Sequence, residues 1–520
     1  MRVFKRLRMP DVIGTPTNGE VCGEWVFDLV KAIFGAYDPS IRRRMIREFF
    51  VLIPKKNGKS SLAAAIMVTA AIVNRRPAAE LLLIAPTKKI ADIAFAQAAG
   101  IIKLDPELQK LFLTQTHQRT IRHRLTDALI QIKAADADVI TGSKATYILV
   151  DETHEFSKKA NAAGVFVEIR GGLAARPDGF LLQITTQSKE PPAGVFKSEL
   201  NIARDVRDGR MTLPLLPVMY ELPQDMAQDG GWKEPKTWAL VNPNLNRSVD
   251  EGFLRDEMTK AEREGAAQLA LIASQHFNVE VGLALQNDRW RGAEYWQSAA
   301  DKTLTLRSLL DRSEVVTFGG DGGGLDDLLG IAVMGREKKT RRWLLWNHAL
   351  AHEKVLEVRK DIAPRLLDFV NEGSLTICRT PTELMERFGS VFAEVKASGK
   401  LPPKDAVGLD PNNVAAMIEA LNARGMTDDM LRRLLQGPAL SPAWWGMEMK
   451  LADNTLVHSG LELMQWVVGN AKVEPRGNGI LITKQQAGRA KIDPLIAAGC
   501  AAILMSWNPV AAHRLQLVIV

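Results

Sequence analysis

A basic stretch, Ile53 to Ser60, lies between an apolar strand-like run and a helix-like run, where a loop that binds phosphate would lie. Backbone amides and the positive end of the helix could hold a β-phosphate there. Lys59 would reach the β- and γ-oxygens, and the Ser60 hydroxyl would bind Mg²⁺. The usual pattern has a glycine five residues before Gly58, but this chain has Ile53. Taken alone, the stretch therefore also fits an ordinary basic turn.

Two adjacent acids, Asp151 and Glu152, follow an apolar run that has the composition of a buried strand. Buried neighbouring carboxylates are costly unless a cation compensates them, so a plain core strand would rarely end in this way. Asp151 would hold Mg²⁺ through its ligand shell, and Glu152 would polarise the attacking water. Together with the basic stretch, the pair predicts an ATPase. Thr185 and Thr186 end the next strand-like run and could sense the γ-phosphate, although a polar strand end is an equally good interpretation of them.

Three aspartates in the second half of the chain stand at the ends of apolar runs: Asp321, Asp410 and Asp493. If strand ends bring them together, their carboxylates repel one another unless divalent metal is bound. Such a cage activates water for phosphodiester cleavage. Asp327 could also approach the metal, whereas Asp326 is expected to face solvent. Each residue also has a purely structural explanation. Asp493 could be simply a helix cap, and Asp410 could be simply the start of a turn.

The elements that must position these residues differ between the two halves. In the first half, continuous apolar strands alternate with helices, which predicts a parallel sheet covered on both faces. From Val315 onward, three strands joined by short turns predict a meander, followed by helices and further strands near Val407 and Ile480. Between the halves, a Trp-, Pro- and Asn-rich stretch, here named the lid segment (residues 232–246), precedes charged helical sequence. The fold class is therefore α/β in two domains.

Composition narrows the class of protein. The 520 residues predict two or three domains. A net charge of +7 is too small for a histone-like tail but permits local basic DNA-binding surfaces. Three widely spaced cysteines fit a reducing compartment without a zinc site. The basic start is followed by no apolar signal region, and the longest apolar runs are shorter than the ~18 residues that span a bilayer, so we expect an intracellular protein without membrane contact.

In this order, the motifs resemble those of the large terminase subunit of tailed bacteriophages, an ATP-driven DNA-packaging motor and nuclease. That family has a Pro-basic-Lys-Asn-Gly-Lys-Ser loop like Pro54 to Ser60, which accounts for Ile53. Asp151 to Glu155 resembles its Walker B segment, and Ile184 to Thr186 resembles its coupling motif. Trp238 with Asn242 to Leu245 is similar to its Trp…Asn-Pro signature. Asp321, Asp327, Asp410 and Lys491-Ile492-Asp493 fall where family nucleases keep their metal-binding acids, although Gly320 to Gly323 replaces the usual Asp-Leu-Ser pattern.

The resemblance implies a P-loop (RecA/ASCE-like) parallel-sheet ATPase domain with a lid at 1–245, a helical linker at 246–305 and a ribonuclease H-like mixed-sheet nuclease domain at 306–520. The implied cofactors are ATP and Mg²⁺, with Mn²⁺ as an alternative in the nuclease. The residues implied to bind nucleotide are Lys55, Lys56, Asn57, Gly58, Lys59, Ser60, Ser61, Asp151, Thr185 and Thr186. The implied catalytic residues are Glu152, Asp321, Asp410 and Asp493. The implied metal ligands are Ser60, Asp151, Asp321, Asp327, Asp410 and Asp493.

The resemblance also implies partners and a place of action. These are double-stranded DNA, a capsid portal protein, a small terminase subunit and further copies of the chain in a pentameric ring. The protein would act in the host bacterial cytoplasm and transiently at the portal vertex of the procapsid. Relatives can supply an arginine finger to a neighbouring subunit, and the candidates here are Lys144, Arg170 and Arg176. Two basic clusters, Arg42 to Arg47 and Lys338 to Arg342, are candidates for DNA contact.

A DExH helicase is the main alternative function. Asp151 to His154 fits its motif, Ala85 to Lys88 resembles a motif that contacts the DNA backbone, and Gln485 to Arg489 resembles its arginine-finger motif. A helicase needs a second RecA-like domain with parallel strands, however, and the predicted meander is wrong for one. A non-catalytic DNA-binding scaffold with a retained nucleotide fold is a third class, which the intact Lys59, Asp151 and Glu152 disfavour.

Overall fold

The computed structural model describes residues 1–134, 145–159, 162–281, 290–411, 414–484 and 491–512. The chain forms two compact units, Met1–Val281 and Gly282–Val520. The division falls inside the predicted linker, so residues 246–281 belong to the first unit and the described residues from 290 onward belong to the second. The three predicted domain ranges remain a prediction.

The first unit is built from short strands and helices in alternation. Its strands are β1 (Tyr37–Asp38), β2 (Arg43–Arg44), β3 (Glu48–Leu52), β4 (Glu80–Ala85), β5 (Phe112–Gln115), β6 (Thr120–His123), β7 (Leu129–Ala134), β8 (Ala145–Asp151), β9 (Phe180–Thr185) and β10 (Leu215–Met219). Its helices are α1 (Arg2–Arg6), α2 (Asn18–Val21), α3 (Glu24–Gly35), α4 (Lys59–Val73), α5 (Lys88–Lys103), α6 (Pro106–Leu111), α7 (Ala162–Ala174), α8 (Gly194–Arg207), α9 (Gln224–Gln228), α10 (Trp238–Val241), α11 (Glu251–Glu264) and α12 (Ala266–Phe277).

Eight of these strands form one sheet in the order β10-β3-β9-β8-β4-β7-β6-β5. The strands from β10 to β7 pair in parallel, and β6 and β5 add an antiparallel edge. Every residue of β8 and β9 is buried, as expected of strands covered on both faces. The predicted parallel sheet is therefore confirmed. Because β3, β9 and β8 are neighbours, their carboxyl ends lie side by side at one edge.

The second unit has a mixed sheet and more helix. Its strands are β11 (Ser313–Gly322), β12 (Leu328–Glu337), β13 (Trp343–His352), β14 (Leu375–Cys378), β15 (Val407–Leu409), β16 (Leu431–Arg433), β17 (Leu456–His458), β18 (Ala471–Arg476) and β19 (Gly479–Lys484). Its helices are α13 (Gly292–Trp296), α14 (Leu306–Arg312), α15 (Lys354–Val358), α16 (Ala363–Glu372), α17 (Pro381–Ala397), α18 (Ala415–Asn422), α19 (Ser441–Ala452), α20 (Glu462–Gly469) and α21 (Asp493–Ser506).

The predicted meander is present, since β11, β12 and β13 pair antiparallel in sequence. On the other side of β11, β15 pairs in parallel and is followed by β16. The strand expected near Ile480 is β19, which forms a separate hairpin with β18. One detail differs from expectation, because β11 continues through the glycine-rich stretch to Gly322 and thus includes Asp321.

The glycines in β11 and β12 allow the buried helix α21 to lie directly on the sheet. A Cβ at Gly319 would lie 2.0 Å from the carbonyl oxygen of Ala497, and one at Gly330 would lie 2.5 Å from backbone atoms of Pro494. The Thr317 hydroxyl donates to the Ala501 carbonyl oxygen at 2.7 Å, which fixes the helix against the strand. Close backbone approach therefore explains why a buried strand contains so many glycines.

Within the described residues, no helix has the length and apolarity required to cross a membrane.

Gly330→Ala should lower the free energy of unfolding of the second unit by at least about 1 kcal/mol, because the new methyl group has no space beside Pro494. The matched control is Gly446→Ala in α19, where nothing lies within 4 Å of the added Cβ. Alanine there should leave stability unchanged or raise it. Thermal unfolding of the full chain measures both, and equal melting of the two variants would contradict the packing argument.

Candidate functional sites

The stretch between β3 and α4, here named the phosphate loop (residues 53–60), has the backbone of an anion-binding loop. Lys56 has φ 68° and Gly58 has φ 75°, both in the left-handed region. Glycine adopts this conformation without strain, whereas a lysine there is strained. α4 begins at Lys59, so its unpaired N–H groups and positive dipole end face the loop. The predicted strand–loop–helix context of the motif is therefore present.

Lys59 is buried, and its ammonium group lies 3.5 Å from the Ile53 carbonyl oxygen and 3.4 Å from that of Pro54. Burial lowers the pKa of Lys59, against the opposing effect of Glu152 and Asp151. Because weak carbonyl contacts replace its hydration, this cation suits an anionic ligand such as phosphate.

The two serines that follow differ in their surroundings. Ser60 is half-buried in the first turn of α4. The Ser61 hydroxyl lies 3.4 Å from a carboxylate oxygen of Asp11. This contact turns Ser61 toward an acid, so the structure favours Ser60 over Ser61 for a phosphate or cation contact.

Asp151 ends β8 and is 2% exposed. Burial and the adjacent Glu152 raise the pKa of Asp151 to about 7, although Lys59 acts in the opposite direction. Asp151 aligns with Ile184 of β9, and Leu52 of β3 aligns with Thr185. The acidic pair, the phosphate loop and the two threonines thus lie at the same sheet edge. A hard cation would offset this buried carboxylate, and its oxygen donors suit Mg²⁺.

Glu152 adopts the left-handed conformation, with φ 52°. One of its carboxylate oxygens, Oε2, is buried and forms no hydrogen bond with the described atoms, although it lies 3.2 Å from Nδ1 of His154. Burial raises the pKa of Glu152, but His154, Lys59 and Lys55 together outweigh burial and lower it. Glu152 is therefore an ionised carboxylate with a spare acceptor oxygen, which is what a base toward water requires.

His154 connects this acid to the neighbouring strand, a role that the sequence analysis did not assign. Its Nδ1 lies 3.1 Å from the Thr185 hydroxyl oxygen, which also accepts from the His154 backbone N–H at 3.0 Å. The Thr185 hydroxyl in turn donates to the Thr186 carbonyl oxygen at 3.0 Å. Thr186 is fully buried, and its hydroxyl has no hydrogen-bond partner among the described residues. The sequence signal that could have indicated the contact between His154 and Thr185 is a histidine three residues after Asp151.

The lid segment is packed through its two tryptophans. Trp232 and Trp238 are both buried against Phe277, with ring centroids 6.1 and 5.4 Å from it. The indole N–H of Trp238 donates to the Trp232 carbonyl oxygen at 2.9 Å. This packing places Asn242 and Asn244 beside the phosphate loop, a placement that the sequence analysis did not predict.

The candidates for an arginine finger are not equivalent. Arg170 binds Glu48 at 2.9 Å and Glu199 at 2.7 Å within the first unit, and these pairs outweigh burial to raise its pKa. Arg176 is half-buried, and among its described contacts its side chain donates only to the neighbouring Ala175 carbonyl oxygen. Lys144 lies outside the described residues. Arg170 therefore serves the fold of its own chain, which leaves Arg176 as the better candidate of the two described arginines.

In the second unit, the three predicted aspartates lie at one end of the sheet. Asp321 is near the end of β11, and Asp410 directly follows β15, which pairs in parallel with β11. Asp493 is the first residue of α21, and its Cβ lies 3.2 Å from where a Cβ on Gly322 would be. The three residues are 7%, 4% and 5% exposed, respectively, so each of them is buried.

Their electrostatics favour a bound cation. Burial, then Asp493 and Asp410, raise the pKa of Asp321 well above its usual value. Burial and Asp327 raise the pKa of Asp493 to about 7, and its Oδ2 is a buried oxygen without a hydrogen-bond partner among the described residues. Carboxylate oxygens are the donors that Mg²⁺ and Mn²⁺ prefer. Within the described ranges, no three acidic, histidine or cysteine side chains converge closely enough to form a metal cage.

Asp327 is paired with lysines in this structure. Its carboxylate accepts from Lys491 at 2.6 Å and lies 3.5 Å from Lys484. Although burial opposes the effect, the contact with Lys491 lowers the pKa of Asp327. Lys484 also lies 3.8 Å from Asp493. Asp326 is half-exposed and pairs with Arg359 at 2.8 Å, in line with the predicted solvent-facing position.

Two family models cover most of the chain. The model described as "Terminase large subunit, ATPase domain" matches residues 24–202, and the model described as "Terminase large subunit, endonuclease domain" matches residues 219–508. The chain therefore carries both an ATPase domain and an endonuclease domain. The chain belongs to the terminase large subunit family, with ATPase and endonuclease activities that serve packaging of viral DNA.

Solved structures of phage terminases are similar to the chain at low identity. The large terminase of bacteriophage HK97 is 18% identical over 96% of this chain and 98% of its own, with a TM-score of 0.47. The ATPase domain of a Thermus phage large terminase is 18% identical over 43% of this chain and 96% of its own, with a TM-score of 0.28. The large terminase nuclease of thermophilic phage G20c is 13% identical over 36% and 80%, with a TM-score of 0.23. Comparison with curated proteins gives no match.

The helicase alternative is not supported. The second unit has an antiparallel meander where a helicase would need a second parallel sheet, and the endonuclease family model covers that region. The helicase-like sequence Gln485 to Arg489 falls on residues outside the described ranges.

Proposed function

We propose that the first unit hydrolyses ATP with the residues at the edge formed by β3, β8 and β9. Lys59 and Ser60 bind the phosphates, with Ser60 and Asp151 as ligands of Mg²⁺, and Glu152 accepts a proton from the attacking water. The observation that carries this proposal is the buried Asp151 beside Lys59 and Glu152, because such a cluster is costly without a bound cation and anion. Lys55 and Lys56 add positive charge around the transferring phosphoryl group.

Loss of the γ-phosphate is relayed through the contacts of the neighbouring strand. Glu152 lies beside His154, which contacts Thr185, and Thr185 bonds to Thr186. A change in the position or charge of Glu152 would therefore be transmitted through His154 to the end of β9, and the lid segment is the element that would respond.

In the second unit, we assign DNA cleavage to Asp321, Asp410 and Asp493, with Asp327 at the edge of the site. A bound Mg²⁺ or Mn²⁺ would activate water and stabilise the leaving oxygen. The buried, unsatisfied Oδ2 of Asp493 beside two further buried carboxylates supports this assignment. Lys484 and Lys491 hold Asp327 and limit the repulsion within the cluster.

DNA contact is proposed for the exposed members of the two basic clusters. The exposed residues are Arg42, Arg43, Lys338, Lys339 and Arg341. Arg44 and Arg47 are instead half-buried and donate to backbone carbonyl oxygens, so they stabilise the fold. Contacts to phosphate should dominate binding, which should weaken steeply with salt.

Further copies, a capsid portal protein and a small terminase subunit are the proposed protein partners. A pentameric ring at the procapsid portal vertex in the host cytoplasm is the proposed active assembly, in which Arg176 of one copy would reach the ATP of the next. The family assignment supports DNA and packaging partners in general.

Glu152→Gln should reduce ATP turnover by about 10²-fold or more and leave nucleotide binding intact, because the amide cannot accept the proton of water. Phosphate release and ADP titration measure the two properties. The matched control is Glu155→Gln, which removes a carboxylate on the other side of His154 and should keep most of the turnover. Normal turnover in Glu152→Gln would remove Glu152 as the base.

Asp321→Ala should abolish metal-dependent nicking of plasmid DNA and keep ATP turnover, because the two sites lie in separate units. The matched control is Asp326→Asn, a nearby carboxylate that pairs with Arg359 and should leave nicking intact. Nicking by Asp321→Ala at the rate of the unaltered chain would show that cleavage does not depend on the aspartate cluster.

A further inference from the structure

We propose that the segment 242–248, here named the clasp segment, is a positioning element of the ATPase site. Its side chains bind the carbonyl oxygens of the phosphate loop and thereby turn the loop N–H groups toward the nucleotide. The proposal rests on the proposed nucleotide site at this loop. It concerns residues that contact the loop itself.

The first part of the loop is held by the side chain of the loop's own Asn57. Asn57 is 1% exposed, and its Nδ2 lies 3.2 Å from the carbonyl oxygens of both Pro54 and Lys55. The same nitrogen donates to Oδ1 of Asn242 at 2.8 Å. The Asn57 side chain therefore points into the loop and toward the clasp segment.

The clasp segment binds the next two carbonyl oxygens. The Asn244 Nδ2 donates to the Asn57 carbonyl oxygen at 2.9 Å, and the Ser248 hydroxyl donates to the Lys56 carbonyl oxygen at 2.6 Å. The Asn244 backbone N–H also donates to Oδ1 of Asn57 at 3.1 Å. Four consecutive loop carbonyls, 54–57, thus accept from four side chains, those of Asn57, Lys59, Asn244 and Ser248.

In a trans peptide the carbonyl oxygen and the following N–H point in opposite directions. The clasp segment holds the carbonyls of Lys56 and Asn57 directly and that of Lys55 through the Asn57 side chain. The N–H groups of the residues that follow, 56–58, are therefore directed to the other side. Among the described contacts, none of these three N–H groups has a protein acceptor. Convergent N–H groups of this kind form an anion-binding concavity, so the clasp segment prepares the loop for phosphate before the ligand binds.

The amide orientations in this network are fixed by their neighbours. The indole N–H of Trp25 can only donate, and it lies 3.0 Å from Oδ1 of Asn244. Nδ2 of Asn244 must therefore face the loop carbonyl. On the other side, Asn242 donates to the His276 carbonyl oxygen at 3.0 Å, which leaves its Oδ1 to accept from Asn57.

The clasp segment is itself anchored to the end of α12. The same region also binds the phosphate loop and the residues that follow β9. The Lys55 N–H donates to the Gln275 carbonyl oxygen at 2.8 Å. Gln275 Nε2 donates to the Gln187 carbonyl oxygen at 2.9 Å, and the Gln187 N–H donates to Asn278 Oδ1 at 3.0 Å. The loop is therefore held in a fixed frame that includes the segment after Thr186.

The test compares Asn244→Ala and Ser248→Ala in the full chain with Asn246→Gly as a matched control. Asn246 lies in the same segment, is exposed and has φ 60°, a backbone conformation that glycine adopts easily. Removing the Asn246 side chain removes no contact with a loop carbonyl. ADP and ATP titrations with Mg²⁺ give Kd, steady-state turnover gives KM and kcat, and thermal unfolding without nucleotide gives Tm.

We expect the Kd for ADP and the KM for ATP to rise about tenfold in Asn244→Ala and about threefold in Ser248→Ala. The kcat should change less than KM, because the loop N–H groups bind phosphate before and during the reaction. Asn246→Gly should match the unaltered chain in all three properties. Because Ser248 is exposed, its variant should fold even if Asn244→Ala does not.

Unaltered ADP affinity in Ser248→Ala and Asn244→Ala would overturn the positioning role, and a fall in Tm alone would show that the network only joins two parts of the fold. Failure of the unaltered chain to bind ADP or ATP would overturn the proposed nucleotide site itself. The two failures are therefore distinguishable.

Discussion

Carboxylates buried at the ends of secondary-structure elements are the constraint on which both sites depend. Asp151 ends β8 in the first unit, and Asp493 begins α21 beside β11 in the second. Burial is the largest cause of the raised pKa of each, about 7 in both cases. A carboxylate removed from water in this way destabilises the fold at neutral pH unless a cation lies beside it. The surrounding side chains supply only part of the positive charge that would offset it.

Lysine side chains supply the positive charge that the protein itself places near these carboxylates. Lys59 lies near Asp151 and Glu152, whereas Lys484 and Lys491 neutralise Asp327 more fully than Asp493. The remaining negative charge is what a divalent cation would compensate in each unit, which agrees with the nucleotide and metal use of the terminase large subunit family. Catalysis and stability are thus linked, because the same charges that cost folding free energy bind the cation that catalysis requires.

Much of the fold could be predicted because its signals are local. Apolar runs indicated the buried strands β8 and β9, and the loop between β3 and α4 was recognisable from Pro54 to Ser60. The meander was likewise readable from its apolar runs, and Asp321 and Asp410 were recognisable as acids next to strand-like runs. The extension of β11 through Gly319 was not predicted, because it depends on the close approach of α21, far away in the chain.

The parts that could not be predicted are contacts between distant polar residues. Asn57 and Asn242 are ordinary loop asparagines in sequence, and only the fold brings them to 2.8 Å. The same holds for Arg170, a candidate finger in sequence, which the fold pairs with Glu48 and Glu199. Side-chain amides and ion pairs carry no periodic signal, so their partners are set by tertiary packing.

Asp493 allows a direct test of the claim that a buried carboxylate requires a bound cation for stability. Its folded-state pKa lies above the ordinary 3.8, so the folded state retains a proton that the unfolded state has released, and stability falls as pH rises from about 4 to 7. At pH 8 without cation, Asp493→Asn should therefore unfold at a higher temperature than the unaltered chain.

Calorimetry of both chains at pH 8 with and without Mn²⁺ or Mg²⁺ is the most direct test. The account predicts that the cation raises the unfolding temperature of the second unit in the unaltered chain and that Asn at 493 removes most of this shift. An equal shift in both chains, or no shift in either, would contradict it.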